Sequence, residues 1–470
     1  MKSLSFAILI FFFQALHADQ VHLLAENNEA LQARVDLILN AKEIIVETYS
    51  FADDDVSLGV YALLLQAANR GADVKILVDA FTNKTPDKTL AALMEISHRL
   101  GKSNFQIRVY NPYKVLNLLS LTHRTHAKIV MADGQEMITG GRNIGENYFG
   151  LNSGRNFVDT DVYVSGETVT KTRENFLQLW NSSIVGFLNL SKDVDPDIAK
   201  QNCESQSNDM QCSPSVQTQR LNRLQKSVSE FQARSEKIIA SGFNLGIKYD
   251  NRNSLWLKNS VELSAKVILD PIRQFMNGEN ESNGIGAEYV NELSKAEQTL
   301  TIVSPYMIPT AEQMNLFRTL LAQKVKIKLI TNSITSSDDM RAVAGYHSHK
   351  DEIIKLGPGL EIYEYNGPST LHSKLAVIDD ETGVVGTFNF DPRSHRLNRE
   401  MALVVEDRKG RNFINNLNSE ILKLQQNSLL VGKDGKPKNL EIQSQRRGSE
   451  DRLKKVKLYL NLMPMIHDQL

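Results

Sequence analysis

Two blocks of the chain, residues 28–190 and 284–430, repeat one pattern of apolar and polar positions. In each block, stretches with apolar residues three and four apart lead into short runs rich in β-branched residues. That is the pattern of a helix followed by a strand. Residues 34–41 lead into 43–51, 58–70 into 73–79, and 89–100 into 105–110. In the second block 289–296 lead into 299–306, 313–322 into 325–331, and 346–356 into 360–365. Alternation of this kind predicts α/β units, and its recurrence predicts a duplicated architecture. Residues 191–283 are more polar and are expected to supply helices joining the halves, with the amphipathic run 218–239 as a packing helix. The expected organisation is a leader at 1–18, domains at 19–190 and 284–430, a connection at 191–283 and a basic, apolar tail at 431–470.

Composition narrows the function classes. A chain of 470 residues with 41% hydrophobic content can bury two ordinary cores. Its net charge of -1 gives no bulk positive field, so nucleic acid is not an expected partner. Lys2, the apolar run 4–13 and the small residue Ala18 read as a secretory leader, too short to span a bilayer, and no later run is long and apolar enough for a membrane span. The protein is therefore expected to be exported, periplasmic or secreted. Cys203 and Cys212 lie close together in a polar stretch, which in an exported chain suggests a local disulfide.

The candidate chemistry follows the third strand of each half. The first half reads His126-Ala-Lys128-Ile-Val-Met-Ala-Asp133, then Gly140-Gly-Arg-Asn143; the second reads His372-Ser-Lys374-Leu-Ala-Val-Ile-Asp379, then Gly386-Thr-Phe-Asn389. Histidine and lysine two apart on a strand share a face. Lysine supplies a point charge for phosphate oxygens, asparagine supplies neutral donors, and histidine can be nucleophile or general acid. Two copies would put both roles in one site. Only ten histidines occur in the chain, so two of them opening matching clusters by chance is improbable, on the order of one in a hundred. Asp133 and Asp379 end their strands and are expected to hold turns rather than do chemistry. Downstream, Asp159 and Glu400 each offer a carboxylate that would fix a histidine tautomer. Tyr49, Glu47 and Tyr306 are candidates for the pocket rim, His123 for a positional role, and His347 and His349 for the surface. Scattered histidines give no zinc spacing.

These clusters resemble the phospholipase D superfamily, whose signature is His-x-Lys-x4-Asp in duplicate. The wording of Gly140–Gly150, of Gly386–Ser394, and of the closing Met463-Pro-Met-Ile-His-Asp-Gln-Leu470 is most similar to the bacterial cardiolipin synthases of the C type. The resemblance covers about residues 25–430 and the C-terminus. It implies two similar α/β sandwich domains related by a pseudo-twofold axis, one shared active site, no cofactor and no required metal. It implies ping-pong chemistry through a phosphohistidine on His126, with His372 as acid. It also implies phosphatidyl transfer between phospholipids, from phosphatidylglycerol or phosphatidylethanolamine, at a membrane surface. The motif does not choose the acceptor, so hydrolysis to phosphatidic acid shares every candidate residue, and a nuclease or a non-enzymatic lipid binder are the readings from other classes. The apolar stretch 115–121 and the basic, apolar run 452–462 are candidate lipid contacts.

Overall fold

A computed structural model describes residues 18–101, 103–112, 122–200, 213–249, 255–272, 284–408, 412–436, 449–467 and 470. The leader, the Cys203/Cys212 pair and the 115–121 stretch lie outside the described residues. The first half supplies β1 (Asp19–Leu24), β2 (Glu43–Thr48), β3 (Asp73–Asp79), β4 (Phe105–Tyr110), β5 (Ile129–Ala132), β6 (Glu136–Gly140), β7 (Phe157–Val158), β8 (Asp161–Ser165) and β9 (Val185–Phe187). The second supplies β10 (Val261–Leu269), β11 (Thr299–Val303), β12 (Lys326–Asn332), β13 (Leu360–Tyr365), β14 (Thr370–Leu371), β15 (Leu375–Ile378), β16 (Thr382–Gly386), β17 (Met401–Glu406) and β18 (Ser428–Leu430).

Helices between the strands begin where the sequence caps them. The Asp54 side chain accepts from the Ser57 amide at 3.0 Å and opens helix Asp55–Asn69. Thr310 and Gln313 form a reciprocal capping box at helix Ala311–Ala322. The strands β2, β3 and β4 pair in parallel, as do β11, β12 and β13, and their apolar runs are covered on both faces.

Sixteen strands form one sheet, and its order displays the duplication. Outward from the antiparallel β1–β10 pair, one side runs β8, β6, β5, β2, β3, β4, β9; the other runs β17, β16, β15, β11, β12, β13, β18. Each position on one side has its repeat counterpart on the other, which is the pseudo-twofold relation of two α/β domains. The connection therefore needs correcting. Residues 261–269, expected to belong to a helical linker, are the first strand of the second repeat and the counterpart of β1. Their polar and apolar residues alternate with half-buried positions, so the segment lacks the long apolar run that marks an interior strand. The helix Pro214–Ala240 packs Leu224, Val228, Phe231 and Ile238 into the first half's core.

A central core joins the halves. Ile45, Leu77 and Met131 of the first half pack in one cluster with Val303, Leu375 and Leu403 of the second. The C-terminal residues are structured as well: helix Ser449–Ile466 buries Val456 and Met463 beside Ile308, Ala342 and Val343.

Candidate active site

The two signature segments meet where the halves touch. His126 and Lys128 precede β5, and His372 and Lys374 lie between β14 and β15, so neither pair sits within a strand as the alternation had suggested. The reason is that the histidine amides are engaged by the opposite half instead of by their own sheet, although the Lys374 carbonyl still accepts from Gly386 of its own half. The His126 amide donates to the Arg399 carbonyl at 2.8 Å, and the His372 amide donates to the Val158 carbonyl at 2.8 Å. Around them Thr125 bridges Arg399, and β14 pairs with β7 in parallel. Each histidine amide is thus held by the residue that directly precedes the other half's carboxylate, Arg399 before Glu400 and Val158 before Asp159.

The ring contacts cross in the same way. His126 Nδ1 lies 3.0 Å from both carboxylate oxygens of Glu400, and His372 Nδ1 lies 2.6 Å from Asp159 Oδ2. All four side chains are buried. An Nδ1–H donated to a carboxylate fixes the tautomer and leaves Nε2 as the atom open to chemistry. Lys128 Nζ donates to the His126 carbonyl at 2.7 Å. Lys374 Nζ lies 2.9 Å from His372 Nδ1, but that nitrogen carries one proton and the shorter Asp159 contact takes it, so Lys374 donates to the His372 carbonyl. Burial pushes both lysines down, Lys128 to about 7 with the Lys374 charge adding to the effect, and Lys374 to about 8.

The two pairs are built differently. Glu400 accepts from Thr387 Oγ1 at 2.5 Å, Ser394 Oγ at 2.7 Å and Asn398 Nδ2 at 3.3 Å, besides His126. Asp159 faces Gly141 where Glu400 faces Thr387, and a Cβ on Gly141 would lie 1.9 Å from Asp159 Oδ1. Ser394 has Tyr148 as its counterpart, each five residues after its asparagine. The Tyr148 and Phe157 rings flank His372 at 5.4 and 5.0 Å, while Tyr49 stands edge-on to His126 at 5.0 Å. Burial raises the Glu400 carboxyl and holds His126 well below the ordinary histidine range. Burial also lowers His372. It works against ionisation of Asp159, but the His372 ring and the Lys374 charge prevail and bring that carboxyl down to about 2. The Asp159 side is therefore the better prepared to stabilise an imidazolium.

A cavity of about 860 Å³ opens onto both rings. Asn143 and Asn389 line it, and each leaves its buried side-chain oxygen without a protein partner. The Asn143 amide nitrogen donates to the Tyr148 hydroxyl at 2.7 Å. Since the two ends of an amide interchange by rotation, each asparagine can present a donor to a phosphate oxygen. Asn143 is held in place from behind, because the buried Arg142 guanidinium donates to the carbonyls of Leu24, Ala25 and Tyr148 and to Asp161. Tyr49 and Tyr306 rim the cavity. Glu47 does not: it is buried against Thr125 and Arg399, at 2.6 and 2.9 Å. Asp133 and Asp379 stand apart from the site. Each adopts a positive φ and accepts backbone amides, from Lys42 and Glu43 and from Glu297, Gln298 and Thr299. His123 Nδ1 meets the Leu397 carbonyl at 3.0 Å, His347 is exposed, and His349 stacks on His467. Reading residue by residue missed Tyr148 and Phe157 beside His372, Arg393 on the cavity wall and Ser394 on Glu400. Tyr148, Arg393 and Ser394 lie within the motif extensions quoted above, which was the signal that could have found them.

The family model described as "Cardiolipin synthase, PLD-like domain" matches residues 35–180 and 289–424. The chain belongs to this family. Its two matched segments fall one in each half of the sheet and leave the joining strands β1 and β10 and the edge strands β9 and β18 outside, and it is an enzyme of the phospholipase D superfamily. Among relatives, an uncharacterized protein of Helicobacter pylori strain 26695 is 26% identical over 413 residues, covering 82% of this chain and 76% of that protein. Cardiolipin synthase C of Escherichia coli K12 is 27% identical over 416 residues, covering 82% and 80%. The phosphatidylserine synthase of Haemophilus influenzae Rd KW20 superposes with a TM-score of 0.62 at 14% identity, over 97% of this chain and 98% of that one, which shows the shared fold.

In this phospholipase D-like site the lysines predict a pH dependence. An oxyanion held by Lys128 and Lys374 would need both of them charged. Below their pKa values they already hold their protons. Above about 7 and about 8 each must take one up on binding. Affinity for tungstate or vanadate should then fall as pH rises, by up to about tenfold per pH unit for each proton taken up. Calorimetric titration in buffers of different ionisation enthalpy reads that uptake, and an affinity that stays flat as pH is raised past both values would contradict it.

Proposed function

We propose that the protein is a phosphatidyltransferase that forms cardiolipin from phosphatidylglycerol and a second phospholipid through a phosphohistidine. The observation carrying this reading is the crossed pair of histidine–carboxylate contacts at one cavity. Two tautomer-fixed imidazoles with neighbouring lysines suit an in-line exchange at phosphorus. His126, held neutral by burial, is the nucleophile. Its Nε2 attacks phosphorus while His372 Nε2–H protonates the departing alcohol oxygen, and the bond between phosphorus and that oxygen breaks. Asp159 stabilises the His372 imidazolium, and the negative charge of the incoming phosphodiester raises the ring's proton affinity. In the second half-reaction His372, now neutral, takes the proton of the acceptor hydroxyl, which attacks phosphorus and releases His126. Lys128, Lys374, Asn143 and Asn389 stabilise the charge on the equatorial oxygens.

The test is to incubate the purified protein in EDTA with phosphatidylglycerol, with and without phosphatidylethanolamine, and to read the lipids by mass spectrometry. Cardiolipin as product supports the proposal. Phosphatidic acid alone would make the enzyme a hydrolase, with water as the acceptor at the same phosphohistidine. We further propose, from the leader at residues 1–18, that the enzyme works outside the cytoplasm. A mature chain that still begins at Met1 after expression in a bacterium, read by intact mass, would contradict export through a cleaved leader.

A further inference from the structure

Helix Ser449–Ile466 turns an apolar ridge to solvent. Leu458, Leu462 and Met465, four and three residues apart and hence on one face, are 58%, 39% and 81% exposed. The opposite face buries Val456 and Met463 against helix Met340–Ile354. The helix thus already has a core-facing stripe, and the ridge contributes nothing to that packing. Lys454 and Lys455 flank the ridge at helical spacing on either side of Leu458, with Lys457 beyond, and all three are exposed; Lys454 pairs with Asp451 of the first turn at 3.5 Å, which leaves Lys455 and Lys457 as the cations turned to solvent beside the ridge. Arg452, in contrast, turns inward and donates to the carbonyls of Ile334, Thr335 and Ser337 at 2.8, 3.2 and 2.9 Å, which ties the start of the helix to the second half.

The same segment reaches the active site. Leu470, five residues beyond Met465, lines the cavity, and its carbonyl accepts from the Arg393 amide at 2.8 Å. Phe81, also lining the cavity, is 53% exposed and packs under the Arg124 guanidinium at 4.8 Å. We propose that the Leu458–Leu462–Met465 face docks on an anionic phospholipid bilayer, with the apolar ridge entering the headgroup boundary and the lysines on lipid phosphates. This holds the Leu470 side of the cavity beside the membrane and rests on the reading that the substrate is a phospholipid. Charge selects the bilayer over a second copy of the chain. A parallel twofold pairing of this ridge would set Lys455 and Lys457 against their own copies, whereas a phosphate surface complements them.

The full chain is compared with two variants, Leu458→Glu/Leu462→Glu/Met465→Glu and Lys454→Glu/Lys455→Glu/Lys457→Glu. Each is cosedimented with vesicles of phosphatidylcholine alone or with phosphatidylglycerol added, and turnover is read on dihexanoyl phosphatidylglycerol dissolved as monomers. The ridge variant should bind both vesicle types at least about tenfold more weakly, and the lysine variant should lose binding only to the anionic vesicles, as added salt also does. Turnover of the monomeric lipid should stay within about twofold in both, since no substituted residue lies at the cavity. Wild-type protein that ignores anionic vesicles, or variants that bind as wild type does, would overturn the proposal. So would a ridge variant whose oligomeric mass by light scattering differs from wild type, because the ridge would then be an interface between proteins. Vesicle binding that is lost as expected, in a protein with no activity on any phospholipid, would uphold the docking surface while sinking the proposed function.

Discussion

His126→Ala and His372→Ala should each lower phosphatidyl transfer by at least about a thousandfold, and the double variant should be little worse than either single one. Groups acting as a unit are not additive, because the exchange at phosphorus needs attack and leaving-group protonation in one step. The variants should separate when the leaving group needs no proton. With a p-nitrophenyl ester of phosphatidic acid, release of p-nitrophenolate should recover in His372→Ala to within about tenfold of wild type, while His126→Ala stays inactive. The nucleophile assignment follows from burial holding His126 well below the ordinary range and from Asp159 standing ready to support a charge on His372. Rescue of His126→Ala in place of His372→Ala would reverse the roles. Full activity in both variants would remove the phosphohistidine altogether.

Asp159→Asn should lower kcat by about a hundredfold to ten-thousandfold with little change in KM, by disturbing a histidine in the other half of the molecule. Asp159 Oδ2 holds His372 Nδ1 at 2.6 Å, and an amide there no longer fixes the tautomer or supports the imidazolium. Glu400→Gln should do the same to His126 with a smaller loss, because Thr387, Ser394 and Asn398 already share the Glu400 charge. Ring ¹⁵N shifts separate a crossed from an uncrossed arrangement. Asp159→Asn should move the His372 resonances and leave those of His126 in place. Movement of His126 alone would mean that each histidine uses the carboxylate of its own half.

Much of this was legible along the chain. The helix and strand alternation of 28–190 and 284–430 is local, set by apolar spacing and caps, and it located six of the eighteen described strands, β3, β4, β12 and β13 to within a residue and β2 and β11 with ends three residues too long. The duplicated His-x-Lys-x4-Asp spacing picked out His126, Lys128, His372 and Lys374 because two matching clusters are improbable by chance. Asp133 and Asp379 could be set apart for a local reason too, since each ends a strand, where a carboxylate commonly holds a turn, and the positive φ that both adopt agrees with that placement. The sequence thereby determined the fold class, the family and the candidate reacting groups.

The tertiary structure decided how those groups are paired and what surrounds them. Asp159 and His372 are 213 residues apart, as far as Thr160 and Ser373, which also meet across the halves. No periodicity reports contacts at that range, and the same two carboxylates would fit an uncrossed arrangement equally well on spacing alone. Strand β10 went unread for a related reason: its half-buried residues become a strand only when β1 and β17 supply hydrogen bonds from either side. Gly141 and Thr387 occupy equivalent places in two similar motifs. Only the packed structure reveals that one leaves room for a carboxylate and the other donates to one, which makes the halves chemically unequal. Side-chain type and spacing are properties of the chain, whereas burial, and the proton affinities that burial sets, exist only once both halves close around one cavity.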